Sequence, residues 1–115
     1  MRSANALLLF SNFENFPCVI PEAWASGIPV ISTDVGGIAE HLTSDRGILV
    51  QRGDEDALAA AIRSLATNPP STLLGPAGLR AVATSTFSIE AIASQYALAY
   101  EKALRIYSAS KKRVP

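Results

Sequence analysis

Residues 7–10 are apolar without interruption (Leu7, Leu8, Leu9, Phe10), and Ser11, Asn12 and Glu14 follow at once. A short unbroken apolar run closed by turn residues reads as a strand covered on both faces. The pattern returns at residues 30–32 and again at residues 47–50. Between the first two runs, residues 19–26 read as a short helix that stops at Gly27, with Pro21 tolerated because it lies in the first turn. Gly36 and Gly37 turn the chain into a further helix reaching about residue 42. Asp54 is a favoured N-cap, and Glu55 and Asp56 suit the dipole of the helix it opens. Leu58, Ile62 and Leu65 give that helix one apolar face toward a sheet, and Asn68-Pro69-Pro70 ends it. A helix over residues 71–83 is interrupted in pattern by Gly75, Pro76 and Gly78. Ser88 then caps a last helix of some twenty residues, its face carrying Ile89, Ile92, Ala93, Tyr96, Tyr100, Ala103 and Leu104.

Three strands, each followed by a helix, spell an α/β chain with right-handed crossovers and helices on both faces of a parallel sheet. A doubly wound sheet normally has about six strands, so the pattern is that of its second half, with a long C-terminal helix. Ligands of such sheets bind outside the carboxyl ends of the strands. Glu14 and Glu22, eight positions apart, both fall at that edge.

The composition narrows the function classes. The chain has 115 residues, 49% of them hydrophobic, and a formal net charge of zero. That excludes a disordered chain and leaves no electrostatic argument for a nucleic acid or an anionic membrane as partner. The basic run Lys111-Lys112-Arg113 reads as a solvated tail, with contact at a membrane face as the alternative. Cys18 and His41 are the only residues of their kinds. A lone cysteine allows no intrachain disulfide or thiolate metal cluster, which fits a reducing compartment, and the sequence assembles no catalytic Cys–His or Ser–His–Asp set. Residues 1–10 resemble a signal peptide, but Asn12 and Glu14 come too soon and no cleavage site follows. The expectation is a cytoplasmic protein.

Ser11-x-x-Glu14, Phe16-Pro17, Glu22-Ala23-x-Ala25, Gly27-x-Pro29-Val30 and Asp34-Val35-Gly36-Gly37-Ile38-x-Glu40 closely resemble retaining glycosyltransferases of family 4, also called group 1. The resemblance is to the donor-binding domain of their two-domain GT-B fold, and it extends in register through residues 47–50, Gly53-Asp54 and Phe87-Ser88 to Tyr100. Glu14 and Glu22 match the family's E-x7-E pair.

The resemblance implies transfer of a sugar from a nucleotide diphosphate sugar with retention, no metal or cofactor, and an acceptor held by a domain that is not matched here. It implies that Glu14 contacts hydroxyls of the transferred sugar, with Asn15, Phe16 and Pro17 beside it. It further implies that Glu22 accepts from the ribose hydroxyls and that amides near Phe16, Cys18 and Val19 face phosphate. No catalytic residue is assigned, because the family's Arg–Lys pair for the leaving diphosphate has no match in the chain. Asn15 stands where the family has Gly, and it fits best if its φ is positive.

Plainer readings stand beside these. Glu14 is also what a solvated loop would carry, and Glu22 suits the helix dipole alone. Gly36-Gly37 reads as a tight turn, Glu40 as a helix-surface residue, Trp24 as core, and Arg52-Gly53-Asp54 as a turn plus N-cap. Two other classes share the pattern: a nucleotide-sugar epimerase of the same fold, and an α/β interaction module without catalysis. The pattern predicts a partial domain of a larger protein. Without its neighbouring strand, the edge from Leu7 to Phe10 would recruit a second copy and form a homodimer.

Overall fold

A computed structural model describes residue 1 and residues 3–112. Its elements are β1 (Leu7–Leu9), α1 (Val19–Ala25), β2 (Val30–Thr33), α2 (Ile38–His41), β3 (Gly47–Val50), α3 (Glu55–Thr67), α4 (Pro76–Phe87) and α5 (Ile89–Lys111). The strands are parallel in the order β1-β2-β3, with Leu7 opposite Val30 and Val30 opposite Gly47. Two compact units divide the chain, Met1–Ala83 and Thr84–Pro115, and the sheet lies in the first.

β2 is the centre of that first unit. All four of its residues are buried, as expected of a strand with neighbours on both edges and cover on both faces. One face meets α3, whose Ala57, Leu58, Ala61 and Leu65 pack against Ile31, Ile48 and Val50. α1 also lies against β2 and contributes Ile20, Ala23 and Trp24, all fully buried. The Trp24 indole N–H donates to the carbonyl of Arg46 at 3.2 Å, so the one polar atom of the ring is satisfied inside the core. Asp54 caps α3 as expected, its Oδ1 accepting from the amide of Ala57 at 2.9 Å.

Three expectations change. Residues 71–75 form turns and irregular chain, and α4 begins at Pro76 and runs to Phe87 instead of spanning 71–83. Pro76 is a start signal here, not an interruption: it lacks an N–H that the first turn would leave unpaired anyway. The first helical bond then runs from the Leu79 amide to the carbonyl of Gly75. β1, whose apolar run implied cover on both faces, leaves Leu8 47% and Phe10 37% exposed. Ile62, expected to face the sheet, is likewise 41% exposed. For Leu8 and Ile62 the reason is shared: α3 packs on β2 and β3, leaving an open apolar hollow bounded by Leu8, Ile31, Ile62, Leu65 and Ala66.

In the second unit, Ser88 caps α5 by accepting from the Ala91 amide at 3.1 Å. The helix has 23 residues, none of them buried. Lys111 and Lys112 lie at its end, while Arg113 of the basic run falls outside the described residues.

Candidate functional site

The loop leaving β1 is tied down at its first residue. Thr33, at the end of β2, donates its hydroxyl to the carbonyl of Ser11 at 2.6 Å. The Ser11 hydroxyl in turn donates to Glu14 Oε1 at 2.9 Å. A chain of two hydrogen bonds thus runs from the buried end of the central strand to a half-buried carboxylate. Glu14 is not the freely solvated loop residue of the plainer reading.

The glycines of the β2–α2 turn complete the clamp. Gly36 has φ +57°, a conformation that glycine adopts without strain. A Cβ there would overlap the carbonyl oxygen of Glu14 and lie 2.7 Å from its carbonyl carbon. The next amide, Gly37 N–H, donates to the carbonyl of Asn15 at 2.7 Å. The turn is tight, as the sequence implied, but the missing side chain also admits the Glu14 loop. Asn15 does not take up a positive φ: among the described residues no non-glycine φ is positive, so an Asn in the family's Gly position carries no left-handed strain here. Phe16 packs on His41 with ring centroids 4.5 Å apart.

These pieces form one wall of an open cleft of about 810 Å³ at the carboxyl ends of the strands, bounded by residues 12–15, 34–36 and 51–52. Of the residues singled out from the sequence, Glu14 and Asn15 line it. Phe16, Pro17, Cys18, Val19 and Glu22 lie outside it. Cys18 is exposed and takes the N-cap position of α1 without a side-chain cap bond, and Glu22 stands exposed in the first turn. The two carboxylates therefore share an edge of the sheet but not one cleft.

Phe13, Asp34, Gln51 and Arg52 also line the cleft, and sequence reasoning did not select them for it. A positional signal existed for two of them. Asp34 and Gln51 each follow directly on the last residue of a strand, where the architecture puts its ligands. Arg52 lies over the ring of Phe13, its Cζ 5.8 Å from the centroid.

The first unit is thus a three-stranded parallel α/β sheet with a polar cleft at its carboxyl edge and a carboxylate fixed in the wall. The chain belongs to the glycosyl transferases group 1 family, whose model matches residues 1–68. It is 30% identical over 116 aligned positions to a glycogen synthase of Mycobacterium tuberculosis, covering 100% of this chain and 28% of that protein. It is 36% identical to an N-acetyl-alpha-D-glucosaminyl L-malate synthase of Bacillus anthracis over 104 positions, covering 89% of this chain and 27% of that protein. The fold matches a sucrose-phosphate synthase of Thermosynechococcus elongatus with a TM-score of 0.74 and 33% identity, over 90% of this chain and 26% of that one. The chain thus spans about a quarter of the length of these relatives. Among the described residues, no helix is long and apolar enough to cross a membrane.

Proposed function

We propose that this chain is the donor-binding part of a retaining family 4 glycosyltransferase, acting on a nucleotide diphosphate sugar. One observation carries the reading: Ser11 and the Gly36–Gly37 turn hold Glu14 in a cleft at the carboxyl edge of the parallel sheet. A carboxylate so held accepts paired hydrogen bonds from neighbouring sugar hydroxyls. Asn15, Phe16 and Pro17 flank that sugar, while Glu22 accepts from the ribose and the amides about Cys18 and Val19 face the diphosphate. Because Glu22 lies outside the cleft of Glu14, the donor spans from the cleft toward α1, sugar at one end and nucleoside at the other. The reaction is a hexosyl transfer that needs no metal, in the cytoplasm or at the inner membrane face. The 115 residues form a partial domain and by themselves transfer nothing, since rate requires donor and acceptor held together.

The test divides the two carboxylates. In the longer protein, Glu22→Ala is expected to weaken nucleoside diphosphate binding by about 1–3 kcal/mol, the loss of a charge-assisted hydrogen bond. Glu14→Ala should lower turnover more than nucleotide affinity. Calorimetry that finds the plain nucleoside diphosphate bound equally by wild type and the Glu22 variant removes the ribose assignment.

The exposed edge carries a second expectation. Among the described residues β1 pairs with β2 on one side only, and Leu8 and Ile62 stand open beside it. No Lys or Pro lies within residues 7–10 to block pairing. The chain is therefore proposed to form a two-fold dimer through β1. Leu8→Lys should shift it toward monomer in sedimentation experiments. A wild-type chain that stays monomeric at high concentration speaks against the dimer.

A further inference from the structure

Phe13 and Arg52 line the cleft, yet donor binding by Glu14 and Glu22 does not use them. Phe13 is 84% exposed, so the fold does not hold it there for packing. Arg52 lies over its ring, and among the described residues Arg52 forms no salt bridge. A large apolar ring left in water beside an unpaired guanidinium, both facing one cleft, is a feature kept for contact with something else.

We infer that Phe13 and Arg52 form a subsite for a neutral pyranose ring, adjoining the ring that Glu14 contacts. A pyranose has an apolar C–H face and a rim of hydroxyls. The face suits the exposed ring of Phe13 and the hydroxyls suit the five fixed donors of Arg52. Asp34, which lines the same cleft, supplies an acceptor for hydroxyl protons. Charge argues against an anionic occupant: Glu14 and Asp34 set two carboxylates against the single guanidinium of Arg52 in the same cleft. An entering phosphate or carboxylate would meet net repulsion there, whereas a polyol meets none. The subsite rests on the reading of Glu14 as a sugar contact and extends it to a second ring.

The test is titration of the whole 15N-labelled 115-residue chain with maltose, methyl α-mannoside and N-acetylglucosamine, and separately with inorganic phosphate and uridine diphosphate. At least one saccharide should shift the amides of residues 12–15, 34–36 and 51–53 with an affinity of about millimolar order. Phe13→Ala should weaken that binding about tenfold and Arg52→Ala by a smaller factor, with spectra as dispersed as wild type. Uridine diphosphate binding should be unchanged in both variants and reduced only by Glu22→Ala. Saccharide binding unaffected by Phe13→Ala overturns the subsite. So does phosphate shifting residues 51–53 while no saccharide does, which would mark an anion site instead. Loss of the uridine diphosphate response alone counts against the donor reading and leaves the saccharide result standing.

Discussion

Gly36→Ala is expected to cost about 3 kcal/mol or more in stability and to disable the Glu14 site, the larger part coming from backbone overlap and the rest from left-handed strain. Gly36 sits at φ +57°, and its added Cβ would overlap the carbonyl oxygen of Glu14, 2.7 Å from the attached carbon and 2.9 Å from the Asn15 carbonyl oxygen. None of these atoms is the end of a flexible side chain, so relief requires the whole Glu14 loop to move. Moving it breaks the Gly37–Asn15 hydrogen bond of 2.7 Å and swings Glu14 away from Ser11. Gly53 separates the two contributions. It also has positive φ, +79°, yet a Cβ there meets nothing within 4 Å. Gly53→Ala should therefore cost only the strain, about 1 kcal/mol. Urea denaturation of both variants decides it, and equal losses would refute the close approach as the reason for Gly36.

Trp24→Ala is expected to lose about 3–5 kcal/mol, the usual cost of deleting a fully buried aromatic side chain. A loss of that size is a large share of the roughly 5–15 kcal/mol that holds a domain folded. Trp24 is 0% exposed, and the Arg46 guanidinium stacks over its ring with Cζ 5.8 Å from the centroid. The Arg46 carbonyl that accepts from the indole also accepts from the Val30 amide at 3.4 Å. Removing the indole thus does not orphan that carbonyl, and the expected loss comes from packing. Trp24→Phe, which keeps most of the ring, should lose far less. The chain has one tryptophan, so unfolding is followed by circular dichroism. A Trp24→Ala protein within about 1 kcal/mol of wild type would show that the pocket collapses around the deletion.

Local chemistry was legible in the chain itself. Unbroken apolar runs placed all three strands, and Asp54 and Ser88 marked two helix starts whose cap bonds are present. The place of Glu14 in the loop after β1, at the carboxyl edge of the sheet, was legible as well, because it depends only on where the first strand ends. The start of α4 was misplaced because Pro76 reads as a breaker until the helix is seen to begin on it.

What the sequence by itself determined is the parallel α/β order and the edge of the sheet on which Glu14 lies. These depend on periodicity, capping and strand ends, all properties of neighbours in the chain. Only the tertiary structure decided which side chains share the cleft. Phe13, Asp34 and Arg52 come from three different strand-to-helix connections, and no spacing rule relates them. It also decided that Glu22 stands outside the cleft, that Gly36 is small because Glu14 passes over it, and that Leu8 faces water. Each of these depends on how one loop or helix lies against another, a distance that sequence separation does not encode.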